Sequence, residues 1–480
     1  MNLKRNFFRK KLVAAAAVVT TAAFALCGCS TPVVGKGNIA NDVSGNSAYR
    51  ETIYFWYSDE NLTNYVNSAA VAFGEQEGVR VIPTLSAEKE YLEAINDATL
   101  HSGQGPDVYL LTNDLLGKAY LAGLASEIMD EKDVCSPEHF PQAALSAVTY
   151  KGKKIAYPLS YETAILVYNE TYLEEWARQQ AQRVSDSNED LDSNEDFEID
   201  EDFETDEDLW TDEEPVAEMD YDDYMEAAVP ATVDDILNIA NTFDVPETVE
   251  GVMKWDVSDI LYNYWFVGSY VDVGGASGDD PTRVDIHNAE STRCLEVYQN
   301  MNQFFSIESS TVTYDSVVED FMAGKTVFTI ATTDIVKRLE EAKEEGAFPY
   351  EYGIATLPDV GVDLASRSMS VTNTVVVNGY SAHKDLANRF AQYLADTAAV
   401  DLYARTGKVP ASLAVAEENP ALQILMLEYA DSVPLPKLLE TENFWMHLEV
   451  LFSKVWNGAD VTEALQELSD QMNIQMGNQS

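Results

Sequence analysis

Glu162 stands alone between two stretches of different character. Upstream, Lys151-Gly-Lys-Lys154 is basic around a glycine, as a hairpin turn is, and Ile155-Ala156 is a short apolar pair. The run then meets Tyr157-Pro158, where the missing amide is expected to end a regular ladder. Downstream, Ala164 to Tyr168 is β-rich. Two short strands separated by an extended, proline-containing segment suit a chain leaving one sheet and entering another. A carboxylate carried on such a segment is hard to explain as structure and is available to bind hydroxyls or amides.

Patterns for catalysis are missing. The five histidines, at 101, 139, 287, 383 and 447, have no His-x-x-x-His pairing, and neither a Gly-x-Ser-x-Gly elbow nor a phosphate loop occurs. No Cys/His spacing suits zinc. Asp190-Leu-Asp192-Ser-Asn194 alternates oxygen ligands, but Glu195 stands where a calcium loop needs glycine and Asp202 replaces the closing Glu. A solvated loop fits that stretch better, and no metal or cofactor is expected. Acidic pairs are plentiful, so composition alone leaves a glycosidase open.

The elements that must position Glu162 alternate. Ile53–Tyr57, Val79–Leu85 and Pro106–Leu111 are expected strands. Helices follow them: from Ser58 or Asp59 to Glu77, from Glu88 to His101, and up to Ala122. That order means a parallel sheet with helices on both faces. At 480 residues the chain is long enough to hold two domain-sized cores.

The first residues concern location. Met1–Lys11 carries five basic residues and no acid, Leu12–Leu26 is apolar, and Leu26-Cys-Gly-Cys29 follows. This is an export signal, too short for a lasting membrane helix. Its end resembles a bacterial lipobox, which makes Cys29 the lipidated N-terminus of the mature chain. Residues 29–49 then read as a tether. Cys135 and Cys294 remain and are expected to be unpaired, buried thiols.

The net charge is −52, and loss of the leader takes it to about −57, which argues against nucleic acid and anionic membrane surfaces as partners. Much of the acid lies between Asp186 and Glu226, a stretch with no Lys or Arg. It is expected to be a disordered insertion spanning 185–227.

In order along the chain come Ser102-Gly-Gln-Gly-Pro-Asp-Val108, Gly152-Lys153, Tyr157-Pro158, Glu162 and Tyr168-Asn169. They are followed by Pro230-Ala-Thr-Val-Asp-Asp-Ile236, Val318-Glu-Asp-Phe-Met-Ala-Gly-Lys325, Tyr352–Pro358, Ser381–Phe390 and Gly407-Lys-Val-Pro-Ala-Ser412. Together these resemble the extracellular solute-binding proteins, family 1, the maltose-type and multi-sugar-binding components of ABC importers. The resemblance runs from about residue 50 to 476, apart from the acidic stretch.

It implies a periplasmic-binding-protein-like α/β fold, two α/β lobes joined by crossover hinges. The N-lobe is placed at 50–160 and 373–432, and the C-lobe at 161–372 and 433–480. A small ligand, a carbohydrate in the sense of that family, is expected between the lobes. ABC permease subunits are the expected partners. A monomer is expected, held by its lipid at the extracellular face of the cytoplasmic membrane, on a Gram-positive-type surface. The membrane is met only through that lipid, and no chemistry is performed.

Sugars offer apolar C–H faces and a ring of hydroxyls, and so need aromatic walls and fixed carboxylates or amides. The expected ligand-binding residues are Trp56, Tyr57 and Asp59 after the first strand, Asn113 and Asp114 after the third, Glu162 on the crossover, Tyr262 and Trp265, Asp334, and Trp445. Most have a structural rival. Trp56 and Trp445 fit a core equally well. Asp59 and Asp114 fit helix caps. Tyr262, Tyr264 and Trp265 alternate, so one or two of them at most can face a cleft.

The chain also departs from the maltose type. Leu111 replaces a stacking Trp, Leu115 replaces an Arg, and Ala331-Thr-Thr-Asp334 replaces Gly-Pro-Trp. These changes argue against maltodextrin itself. Rival readings are a surface glycan-binding or sensor protein uncoupled from transport, and a binding protein for a peptide or polyol.

Overall fold

The structure is a computed structural model that describes residues 51–87, 89–192, 221–416, 419–441 and 444–477. The leader, Cys29, the 29–49 tether and the acidic residues 193–220 lie outside the described residues.

Three early apolar runs form parallel strands: β1 (Thr52–Tyr57), β2 (Arg80–Leu85) and β3 (Val108–Thr112), with β1 in the middle. Asp59 caps a short 3-10 turn that leads into α1 (Thr63–Glu77), and Gly78 closes the helix at φ 67°. A Cβ at that left-handed position carries a steric penalty. The expected hairpin is also present. Lys151 and Gly152, both at positive φ, turn Thr149–Tyr150 back onto Lys153–Lys154.

The middle of the chain differs from the expectation in one respect. Residues 157 to 169 form a single strand, β4 (Tyr157–Asn169), and Pro158 lies inside it. The ladder survives because its register slips beside the proline: Thr374 faces Pro158 and Asn373 faces Ser160, which leaves Leu159 of β4 as the extra residue. A bulge there absorbs the missing amide.

After β4 comes α2 (Glu170–Asp192), whose Tyr172, Leu173, Trp176 and Ala177 are buried. The proposed insertion therefore begins as helix, and a second helix spans Tyr221–Ala227. The buried apolar face of α2 nucleates a helix that no Gly or Pro interrupts before Asp192, so local acidity does not end it.

The remaining strands of the large sheet are β5 (Gly251–Met253), β6 (Thr326–Thr332), β7 (Tyr352–Ala355), β8 (Met369–Val377), β9 (Val409–Pro410) and β10 (Val433–Pro434). Around them lie α3 (Tyr314–Met322), α4 (Ile335–Glu344), α5 (Pro420–Asp431) and α6 (Phe444–Trp456). The sheet order is β2-β1-β3-β8-β4-β6-β5, with β7 and β9 also on β4 and β10 on β8. The first half of β4 pairs with β8, from Tyr157↔Val375 to Thr163↔Ser370. The second half pairs with β6, from Ala164↔Thr332 to Tyr168↔Phe328. One strand thus serves two sets of neighbours and changes over between Thr163 and Ala164.

The buried apolar residues gather in two clusters. In one, Phe390 meets Phe55 at 5.4 Å and Phe73 at 5.1 Å between ring centroids. In the other, Trp456 meets Trp255 at 5.4 Å and Tyr298 at 5.0 Å. Cys135 belongs to the first and Cys294 to the second, both unpaired and buried. Among the described residues no helix is long and apolar enough to cross a membrane.

Candidate ligand-binding site

Strand ends bring the polar side chains together where β4 changes partners. Glu162 lies one residue before that change, and the ring of its strand neighbour Tyr161 stacks on Tyr429 at 3.8 Å and 3°. Asp59 follows the carboxyl end of β1. Between the two carboxylates stands Lys408, just before β9, whose Val409 pairs with Tyr161. Its ammonium is 3.0 Å from Asp59 Oδ2 and 3.2 Å from Glu162 Oε1. Burial works against the Lys408 charge, but the field of Glu162 and the bond to Asp59 outweigh it, so its pKa stands above the usual lysine value. Asp59 is also the cap considered for it, its Oδ1 accepting from the Asn61 amide at 2.9 Å.

On the far side of the change, β6 ends beside Asp334. The Tyr314 hydroxyl donates to Asp334 Oδ1 at 2.6 Å, and the Thr332 hydroxyl bonds the same oxygen. Arg338 lies 3.5 Å from Asp334 Oδ2 and covers the Tyr314 ring. Tyr262 stacks on Tyr314 with centroids 5.0 Å apart and planes at 14°. Burial, and then neighbouring charge, push both phenols well above their usual pKa, so both are neutral donors at ordinary pH.

Asp114 and Trp445 share a small cavity of about 80 Å³ with Leu115, Lys118 and Pro436. Asp114 Oδ1 is buried there without a hydrogen-bond partner, and burial raises the carboxyl's pKa. Trp445 also meets the Tyr264 ring at 6.0 Å and 70°, and borders a cleft of about 740 Å³ on the β10 side.

Four expected residues go elsewhere. Tyr57 is core, its hydroxyl 3.2 Å from Thr63 Oγ1. Asn113 is fully buried and holds two backbones together: its Nδ2 donates to the Leu435 carbonyl and its Oδ1 accepts from the Thr372 amide, each at 2.8 Å. Trp265 is fully buried, with its indole N–H on the Tyr262 carbonyl at 3.0 Å. Trp56 lies on the opposite face of β1 from Tyr57, in a separate cavity of about 640 Å³ with Tyr54, Tyr380 and His383. The period of two along β1 decides this, because Phe55 and Tyr57 occupy the core face.

Lys408, Tyr314, Thr332 and Arg338 were not among the expected residues. Lys408 sits inside Gly407-Lys-Val-Pro, a motif legible for its turn, while its partners are 349 and 246 positions away. Among the described residues no group of His, Cys, Asp and Glu is placed to hold a metal ion.

Comparison with known proteins identifies the class. Residues 68–424 match the family described as bacterial extracellular solute-binding protein, and the chain belongs to that family. Its fold is that of maltose-binding-type solute-binding proteins. A cyclo/maltodextrin-binding protein complexed with maltotetraose superposes with a TM-score of 0.67 at 18% identity, covering 91% of this chain and 99% of that one. The maltose-binding MalE of Listeria monocytogenes, in complex with maltose, gives 0.65 at 18% identity over 90% and 99%. In sequence, the galactooligosaccharide-binding protein of Bacillus subtilis is 27% identical over 154 residues, 32% of this chain and 35% of that protein. The maltotriose-binding protein of Pyrococcus abyssi is 32% identical over 88 residues, 18% of this chain and 19% of its own length. The chain thus matches about a third or less of each of these curated relatives. The family and fold are those of solute-binding proteins, not enzymes.

Proposed function

We propose that this protein is the lipid-anchored substrate-binding component of an ABC importer and captures a sugar or oligosaccharide. The observation that carries the reading is the placement of two polar groups, Asp59–Lys408–Glu162 and Tyr314–Asp334, at strand ends on either side of the partner change in β4. Carboxylates and phenols fixed at strand ends suit a polyhydroxylated ligand, and the change of partners is where two lobes can bend against each other. The lobes divide at about residues 160, 372 and 432. Ligand that touches both shifts an open–closed equilibrium toward closed, the form a permease recognises. Cys29 carries the lipid, and the protein works as a monomer at the outer face of the membrane without catalysis. Names of the sequence relatives, a galactooligosaccharide-binding and a maltotriose-binding protein, support the ligand class.

The test is thermal melting against a panel of mono- and oligosaccharides. A ligand at 100 times its Kd stabilises the native state by about 2.7 kcal/mol. The expected result is a raised Tm with one sugar class, lost in Glu162→Ala. A flat panel for the wild-type protein refutes the sugar assignment.

A further inference from the structure

The ion cluster at Lys408 suggests which sugars the site takes, an inference that rests on the proposed sugar-binding function. Lysine carries three N–H donors. Two face Asp59 Oδ2 at 3.0 Å and Glu162 Oε1 at 3.2 Å. The third is left for a ligand, and the cluster is reachable, with the side chain of Lys408 24% and that of Glu162 41% exposed. Glu162 Oε2 is likewise left to accept.

The three groups present acceptor, donor, acceptor in a row. A hydroxyl both donates and accepts, so two neighbouring hydroxyls on a sugar ring can each donate a hydrogen bond to one carboxylate, while one of the two accepts the remaining N–H of the ammonium between them. The three formal charges sum to one negative charge. Lys337 of α4 runs its chain against Gly407, but its ammonium is turned toward Glu341 at 3.8 Å and adds no cation to the cluster. A ligand bearing its own carboxylate therefore meets net repulsion, in a chain already at −52.

We propose that Lys408, held between Asp59 and Glu162, is a ligand-binding residue that reads a vicinal pair of hydroxyls and restricts the site to uncharged sugars. A purely structural ion pair predicts something different. Partly exposed pairs contribute little to stability, so a stapling role would leave ligand preference untouched when the pair is removed.

The experiment is calorimetric titration of the full-length protein in a detergent without a sugar headgroup. The probes are maltotriose and galactotriose as neutral ligands and trigalacturonate as the anionic one. Wild type is expected to bind at least one neutral trisaccharide and to discriminate against trigalacturonate. Lys408→Met is expected to weaken neutral binding about 10-fold or more, as loss of a charged donor does. Lys408→Arg, which keeps the donors, is expected to stay within about 5-fold of wild type. Asp59→Asn, which keeps the helix cap and brings the cluster to zero charge, is expected to narrow the neutral-to-anionic ratio about 10-fold. Circular-dichroism melts of the variants check that each is folded. Wild-type affinity in Lys408→Met, or a wild-type preference for trigalacturonate, overturns the inference while leaving the sugar-binding function standing. Wild-type failure to bind any of the three overturns the inference, and a flat melting panel of mono- and oligosaccharides besides overturns the sugar-binding function as well.

Discussion

Glu428→Gln is expected to change how stability depends on pH. Glu428 lies on α5, buried, and its Oε2 accepts from the Leu357 amide at 2.9 Å, in the segment after β7. Burial is the main cause that raises its pKa to about 7, with Asp431 adding to it, while bonds from Ser368 and Leu357 pull the other way. Below the unfolded value of about 4.5 the carboxyl is neutral in both states, and nothing is lost. Between 4.5 and 7 the unfolded chain releases the proton and the native one keeps it, so stability falls as pH rises. Above 7 both states are charged and the loss is complete.

The span from 4.5 to 7 corresponds to about 3 kcal/mol as an upper bound. Glutamine keeps an acceptor for the Leu357 amide and removes the charge, so the variant should lack this loss. Urea unfolding of both proteins at pH 5, 6, 7 and 8 measures it. The variant should gain on wild type by up to about 3 kcal/mol between pH 5 and 8. Parallel pH profiles for the two proteins would show that Glu428 titrates alike in both states and refute the argument.

Two further outcomes follow from buried groups. Asn113→Ala should lower stability by about 2–4 kcal/mol in urea unfolding, because the Leu435 carbonyl and Thr372 amide lose their shared partner. A drop below about 0.5 kcal/mol would mean that neither group depends on it. Burial raises the thiols of Cys135 and Cys294 to about 12, so iodoacetamide at pH 8 should leave both unmodified in the native protein and label both once it is unfolded, as read by mass spectrometry.

The alternation of apolar runs and helices from Ile53 onward was enough to specify the parallel β1–β3 unit, since side-chain period and turn residues are local properties. The hairpin at Gly152 and the cap at Asp59 were legible for the same reason, whereas the unpaired thiols were expected because the family resemblance puts Cys135 and Cys294 in different lobes. The Pro158 break was misjudged, because the strand that carries the ladder past it, β8, lies more than 200 residues later. The role of Asn113 was hidden in the same way, since its partners are the backbones of Thr372 and Leu435.

The site divides along that line. The sequence by itself determined that a carboxylate at 162 sits on a crossover and that Asp59 follows a strand, because each depends on a few neighbouring residues. Only the tertiary structure decided that Lys408 joins them, that Tyr314 and Asp334 form the opposing pair, and that Trp265 and Tyr57 belong to the core. Local propensity carries no information on which distant strand ends meet. That meeting is set by burying the faces of β4 against two different sets of strands at once.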